Sequence, residues 1–253
     1  MVFFWRATVP ASAPAVRSVE LAVTGRLPRS GRGPYAGLNL GGHVGDDPRS
    51  VERNRRQVAD ALQVPRQRLL FLEQVHGGTV VQADGPWDGD APEADGVVTT
   101  VPDLALAVLV ADCVPVLLHD AGSGVVGAVH AGRPGMMAGI VPAAVRRMRA
   151  LGATQVRAVL GPSVCAGCYE VPGDLAQAAA AVSPASAARS RSGTPAIDVA
   201  AGVAEQLAAE AVPVQRIGGC TREEQELYSY RREATTGRFA GVVVLRSASG
   251  VAG

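Results

Sequence analysis

The chain has 253 residues, is 47% hydrophobic, and carries 24 basic against 23 acidic residues for a formal net charge of +1. That apolar content suffices for one core and no Pro/Ser linker parts two, so the sequence reads as a single domain over 1–253 with its core at about 19–246. Balanced charge excludes the footprint of a nucleic-acid or membrane-surface binder; every basic residue is Arg, which excludes Schiff-base lysines, a Walker lysine and a lysine general base.

Met1 to Arg6 has no basic stretch ahead of it, and its apolar run is too short for a signal-peptide core or a membrane span. The expected location is the cytoplasm, where the four cysteines stay thiols or ligands rather than two disulfides. Val19 to Val23 reads as a strand, followed by a Gly-, Pro-, Arg- and Asn-rich loop to about residue 46. Asp47-Pro48 is a cap-then-proline helix start, and Val51, Val58, Ala61 and Leu62 give that helix an apolar face. Arg53, Arg55 and Arg56 lie on its other, solvated side.

Leu69 to Val75 reads as a strand turned back by Gly77-Gly78 into Thr79-Val80-Val81, and a polar loop from Asp84 to Asp95 has the length and composition of a lid. Leu104 to Ala111 is a nearly unbroken apolar run, expected as a buried central strand; Asp112-Cys113 interrupts it and Val114 to Leu118 resumes it. Val125 to Val129 is a further strand, and His130 to Gly135 leads into a helix from about Met136 to Leu151, a geometry that can receive an anion. After a strand from Gln155 to Leu160, Asp174 and Asp198 are expected to cap two Ala-rich helices around the weakly ordered segment Ser183 to Pro195. Phe239 to Leu245 is the closing strand.

His76, Cys113 and His130 each stand beside a Gly- or Pro-marked turn after an apolar run, so separate strand ends can bring them to one point. A His/Cys/His set suits zinc and leaves a fourth position for water or substrate. Taken singly, each has a plainer reading, a solvated histidine or an inert buried thiol. Asp112 inside a core run is what raises Cys113, because a buried charge is costly unless paired or hydrogen-bonded. Cys165-Ala166-Gly167-Cys168 has C-x-x-C spacing without a second pair, and reads as structural thiols. His43 and His119 have no strong positional argument, while Tyr230-Arg231-Arg232 can pair with carboxylates or hold a phosphate or sugar.

The strings Tyr35 to Gly41 with His43 to Pro48 and Asn54-Arg55, Glu73-Gln74-Val75-His76-Gly77, Ala111-Asp112-Cys113-Val114-Pro115-Val116, His130-Ala131-Gly132, Gly161-Pro162, Tyr169-Glu170-Val171, Cys220-Thr221 and Tyr228 to Arg232 with Thr236-Gly237-Arg238 resemble the YfiH-like family, the laccase-domain or multicopper polyphenol oxidase family, also described as purine nucleoside phosphorylases. The resemblance implies a mixed α/β (α+β) fold, one layered domain with mixed sheets flanked by helices and similar to a cysteine-hydrolase toxin. It also implies a Zn²⁺ site on His76, Cys113 and His130, phosphorolysis of adenosine, inosine, guanosine or methylthioadenosine, and adenosine deamination in which an activated water attacks C6. Asn39, Arg55, Gln74 and Arg231 are the candidate substrate-binding residues, the arginines for phosphate, and a monomer is favoured. Two segments depart from the family: Arg133-Pro134 stands where a Trp-Arg pair is usual, and Val23 to Ser30 replaces a Thr-Arg-Gly-Gly-Val-Ser stretch.

Copper is disfavoured: a multicopper oxidase needs His-x-His pairs and a blue-copper centre, and four histidines without such a pair do not supply them. The competing readings are a metal-free cysteine hydrolase or amidase acting on peptidoglycan precursors, with Cys113 as nucleophile and His130 or His76 as base, and a non-catalytic nucleoside-binding or interaction protein.

Overall fold

The computed structural model describes residues 1–10, 17–26 and 33–247; the Leu27 to Ser30 part of the departing stretch and the last six residues of the 1–253 span lie outside these residues. In chain order the elements are β1 (Phe3–Val9), β2 (Val19–Thr24), α1 (Pro48–Ala61), β3 (Leu69–Leu70), β4 (Val80–Gln82), β5 (Gly96–Thr99), β6 (Ala105–Val110), β7 (Val114–Asp120), β8 (Val125–Ala131), α2 (Arg133–Met137), α3 (Ile140–Ala150), β9 (Arg157–Leu160), α4 (Gly173–Val182), β10 (Ala187–Arg189), β11 (Pro195–Ile197), α5 (Val199–Ala209), β12 (Val214–Arg216), α6 (Tyr230–Glu233) and β13 (Phe239–Leu245).

The strands form a five-stranded sheet in the order β1-β2-β13-β6-β3, a six-stranded sheet in the order β12-β9-β7-β8-β5-β4, and the β10–β11 hairpin. Each large sheet mixes parallel and antiparallel pairs, and the two stack face to face. Leu106, Val108 and Val243 of the first sheet meet Leu117, Ala128 and Val159 of the second. The outer face of the first sheet, through Ala107, Leu109 and Val242, packs on Val58, Ala59 and Leu62 around α1. Val116, Leu118 and Val129 on the outer face of the second pack on Val145 and Met148 of α3 and Val203 and Leu207 of α5. The result is a mixed α/β structure in which both faces of the central strands are covered, which is why β6 and β7 read as unbroken apolar runs rather than alternating ones. No helix among the described residues is long and apolar enough to cross a membrane.

Helix α1 begins as its sequence predicts: Asp47 accepts from the backbone N–H groups of Arg49 and Ser50, which satisfies two of the otherwise unpaired donors of the first turn. Asp198 caps α5 by accepting from Ala201 N. Asp174 does not cap; it lies in the first turn of α4, whose N-cap position is Pro172. The helix expected over 136–151 starts earlier and breaks in two at Gly139, which takes φ 73, a left-handed conformation that interrupts the helical ladder. The expected strand Leu69 to Val75 shrinks to two residues before the chain turns away, and Glu73 keeps only an isolated bridge to Glu93. Phe3–Val9 and Gly96–Thr99 are strands that the sequence did not announce, because the first opens on three consecutive aromatics that break the two-residue alternation and four residues are too few to show it. Ser183 to Pro195 is not structureless: it carries a short 3₁₀ turn and most of the β10–β11 hairpin.

Candidate metal centre and its cavity

Strands β7 and β8 pair with Val114 opposite Ala131 and Pro115 opposite His130, so Cys113 just before β7 faces the end of β8. Strand β5 pairs with β8 through Gly96 and Val129, which sets Asp95 beside His130. His130 is therefore inside β8 and 2% exposed, not in the turn beyond it. His76 arrives from the turn after β3. It lies beyond the strand expected over Leu69 to Val75, in the turn itself; its φ of 61 is a left-handed strain for a non-glycine residue, of the kind tolerated where a side chain must be aimed.

The three converge. One ligand atom from each of His76, Cys113 and His130 lies within 4.8 Å of the others. Cys113 Sγ is 4.0 Å from His76 Nε2, and the imidazoles of His76 and His130 meet edge to face with centroids 4.6 Å apart. Bonds of about 2.0–2.3 Å from nitrogen and sulfur to one tetrahedral ion require donor separations of roughly 3.3–3.8 Å, so a small contraction closes the set. Gly132 makes the approach possible, because a Cβ there would stand 3.0 Å from Cys113 Sγ and 3.1 Å from His76 Cδ2.

Asp95, at the end of the polar loop that begins at Asp84, is the organising residue of the centre. It is fully buried; its Oδ1 lies 2.7 Å from His130 Nδ1 and accepts from His76 N at 3.0 Å, while Oδ2 accepts from Gly77 N at 2.6 Å and Val75 N at 3.3 Å. One carboxylate thus holds the turn bearing His76 and orients His130 so that Nε2 faces the ligand point, the arrangement in which an outer carboxylate steers a metal-binding imidazole. Burial pushes the Asp95 carboxyl up, but the His130 and Gly77 bonds outweigh it and hold the carboxyl below its ordinary range. Burial likewise pushes the Cys113 thiol up, yet the charge and bonds of His130 and His76 bring it down to about 6. For His130 burial acts downward, and the neighbouring Cys113 thiolate and Asp95 raise it to about 9.

Asp112 serves a different purpose. Its Oδ1 accepts from Thr221 Oγ1 and Ser229 Oγ at 2.6 and 2.7 Å, and its Oδ2 from Arg231 N at 2.7 Å. The buried charge is satisfied by tying the 221–231 segment to the strand end that carries Cys113, and it does not touch a donor of the centre.

The centre opens into a cavity of about 670 Å³, within the size range of small-molecule sites. Around it stand His43, Arg133, Tyr169, Tyr230, Arg231 and Arg238. Of the four substrate-binding candidates, Arg231 is at the cavity, its guanidinium 4.6 Å over the Tyr169 ring. Gln74 lines the wall, but both ends of its amide are engaged by the backbone of Leu109. Asn39 and Arg55 do not line it: Asn39 is buried against Gly41, Asp46 and Arg238 N, and Arg55 donates to Leu40 O and stacks on Phe71. Arg232 is occupied by carbonyls of Thr221, Glu224 and Leu227 and by Glu233, so the Tyr-Arg-Arg cluster splits between support and cavity. Arg133, displaced by one place from the family pattern, still lines the cavity. Arg238, Tyr169 and His43 had no signal beyond membership in the family-like strings; burial and then Arg238 lower the His43 pKa, which keeps that imidazole neutral.

A layered mixed α/β fold in which a turn brings His76 to Cys113, just before β7, and to His130 in the paired strand β8 defines the class, and sequence comparison agrees. The chain belongs to the family described as multi-copper polyphenol oxidoreductase laccase, whose model matches residues 20–246. It is 53% identical over 223 residues to a purine nucleoside phosphorylase of Streptomyces coelicolor, covering 84% of this chain and 89% of that one. It is 48% identical to a purine nucleoside phosphorylase of Streptomyces griseus, covering 92% and 97%. The crystal structure of a Neisseria meningitidis protein superposes with a TM-score of 0.82 at 34% identity, covering 95% of this chain and 99% of that one.

Proposed function

We propose that the chain is a cytoplasmic, zinc-dependent purine nucleoside enzyme that cleaves adenosine, inosine, guanosine or methylthioadenosine with phosphate and deaminates adenosine. The observation that carries this reading is the convergence of His76, Cys113 and His130 on one point at the floor of a cavity rimmed by arginines and tyrosines. The names of the relatives support the phosphorolytic half. The donor set fits zinc: one cysteine sulfur and two imidazoles, one of them carboxylate-backed, would hold the ion beside the cavity they line. Zinc held there would supply Lewis acidity and lower the pKa of a bound water toward neutrality.

The chain's own residues do the rest. Asp95 keeps the His130 proton on Nδ1, leaving Nε2 as a ligand lone pair. Arg231 and Arg238 are placed to neutralise phosphate, and the Tyr169 and Tyr230 rings offer apolar faces to a purine. In phosphorolysis a phosphate oxygen forms a bond to C1′, the C1′–N bond breaks, and the base leaves with the electron pair and takes up one proton. Enclosing the nucleoside and phosphate between these groups contributes through orientation and a dry, positively charged surrounding.

One observation favours a second reading. The depressed Cys113 thiol beside a raised His130 is the electrostatic pattern of a thiolate–imidazolium pair, as in a cysteine hydrolase or amidase. A nucleoside panel assayed with and without phosphate, on native protein and on Cys113→Ala, with metal content and chelator sensitivity measured on both, separates the two. Phosphate-dependent base release that stops on chelation supports the zinc enzyme. Activity that survives chelation and dies with a thiol-alkylating agent overturns it in favour of the hydrolase, and no product from any nucleoside leaves a binding protein.

A further inference from the structure

Away from the cavity floor the chain carries a second group of soft donors. We propose that Cys165, Cys168, Cys220 and Glu223 form a structural zinc site, separate from the His/Cys/His centre and independent of the reaction assigned to it.

Donor atoms from the four side chains all lie within 4.8 Å of one another. Thiolates at about 2.3 Å and a carboxylate oxygen at about 2.0–2.2 Å from a tetrahedral ion are roughly 3.5–3.8 Å apart, so closure needs a contraction of at most about 1.3 Å at the widest pair. The frame is two facing turns. In one, Cys168 N donates to Cys165 O at 3.0 Å; in the other, Glu223 N donates to Cys220 O at 2.9 Å. Each turn presents two donors three positions apart, so the sequence pattern is C-x-x-C followed far along the chain by C-x-x-E. A parallel bridge between Ser163 and Cys220, with Thr221 N donating to Ser163 O at 3.1 Å, sets the turns side by side. Cys165 N donates to Cys220 Sγ at 3.4 Å, a backbone bond that favours a thiolate over a thiol, and Cys168 Sγ is 3.4 Å from Glu223 Oε1.

The charge environment fits the loaded site. Three thiolates and one carboxylate around a divalent ion leave two net negative charges; Arg191 pairs with Glu223, and Arg222 lies beside Cys168. Arg191 also reaches across Gly167, where a Cβ would meet its Cγ at 3.1 Å. All four cysteines of the chain are free. Loading the site releases the three thiol protons to solvent, and thiolate donors select zinc over oxygen-preferring divalent ions. The site braces the cavity: Val164 and Tyr169, which flank Cys165 and Cys168, line it, and Tyr169 carries Arg231.

The test is zinc stoichiometry by mass spectrometry on full-length protein purified without chelator, native and with Cys113→Ala, Cys168→Ser and Glu223→Gln, followed by cobalt substitution. Two equivalents in native protein, one in Cys113→Ala and one in Cys168→Ser are expected, one for each donor group lost. Sulfur-to-cobalt charge-transfer absorption should stay strong in Cys113→Ala, which retains the three-thiolate site, and fall in Cys168→Ser. A single equivalent in native protein that disappears in Cys113→Ala overturns the proposal, as does a disulfide joining two of Cys165, Cys168 and Cys220 in that protein. Should Cys168→Ser fail to fold, the count in native protein against Cys113→Ala decides alone. Zinc lost only with Cys168→Ser would instead refute the catalytic centre and leave this site standing.

Discussion

Asp95→Asn isolates the support of the centre from its ligands. The carboxylate accepts four N–H groups, two on each oxygen. A carboxamide keeps the shape but can accept on one atom only, so either way round an NH₂ is turned toward two donors. If the amide nitrogen faces His130, the imidazole is driven to the tautomer with its proton on Nε2, the atom needed for metal. Losing two bonds to an ionised acceptor at about 1.5–3 kcal/mol each costs about 3–6 kcal/mol of folding stability. Loss of an outer-shell partner weakens metal binding by about 10–100-fold, or about 1.4–2.8 kcal/mol. Chelator competition reads the second quantity, on the equivalent of zinc that Cys113→Ala lacks, and urea denaturation the first. Affinity within twofold of native with an unshifted midpoint would refute the assignment of Asp95 as organiser.

Gly132→Ala should lower metal affinity at the centre by about tenfold while changing folding stability by less than about 1 kcal/mol, because its Cβ displaces Cys113 Sγ and His76 by tenths of an ångström from positions that must hold to about 0.2 Å; unchanged affinity in the same competition assay counts against the site geometry. Arg231→Ala should raise the KM for phosphate by about 10–100-fold, the worth of a lost charge-assisted contact, while leaving adenosine deamination near native; an equal loss in both assays would show that Arg231 acts through the fold. Asp120, far from the centre, accepts from Ser123, Thr154 and Gln155, and although burial pushes its carboxyl up, these bonds hold it below 3.8. The depressed folded value means that its contribution is complete above about pH 4 and is lost as pH falls through the folded pKa. Asp120→Asn should therefore destabilise the protein by about 1–3 kcal/mol at neutral pH and flatten the acid limb of a stability-versus-pH curve, and a variant with the native acid limb would contradict this.

The central strands, the Asp47 cap and the His76/Cys113/His130 set were legible because each leaves a local mark: unbroken apolar runs for strands buried on both faces, a side-chain acceptor before a proline, and rare donor residues beside turns. Asp95 left none, since a carboxylate in an acidic Gly/Pro loop looks like solvent-facing charge until β5 pairs with β8 and buries it. Asn39 and Arg55 sit in strings as family-like as that of Arg231, yet nothing local says which side of the chain meets the cavity. Cys165-x-x-Cys168 read as isolated because its partner turn lies 55 positions away.

Sequence alone determined which segments are apolar and which residues could donate to a metal, because hydrophobic period and side-chain chemistry belong to single residues and their neighbours. Only the tertiary structure decided how closely the donors meet, which carboxylate lies behind them and which arginines line the cavity. Those are distances across strand pairings and turns, and they exist only once the two sheets have stacked.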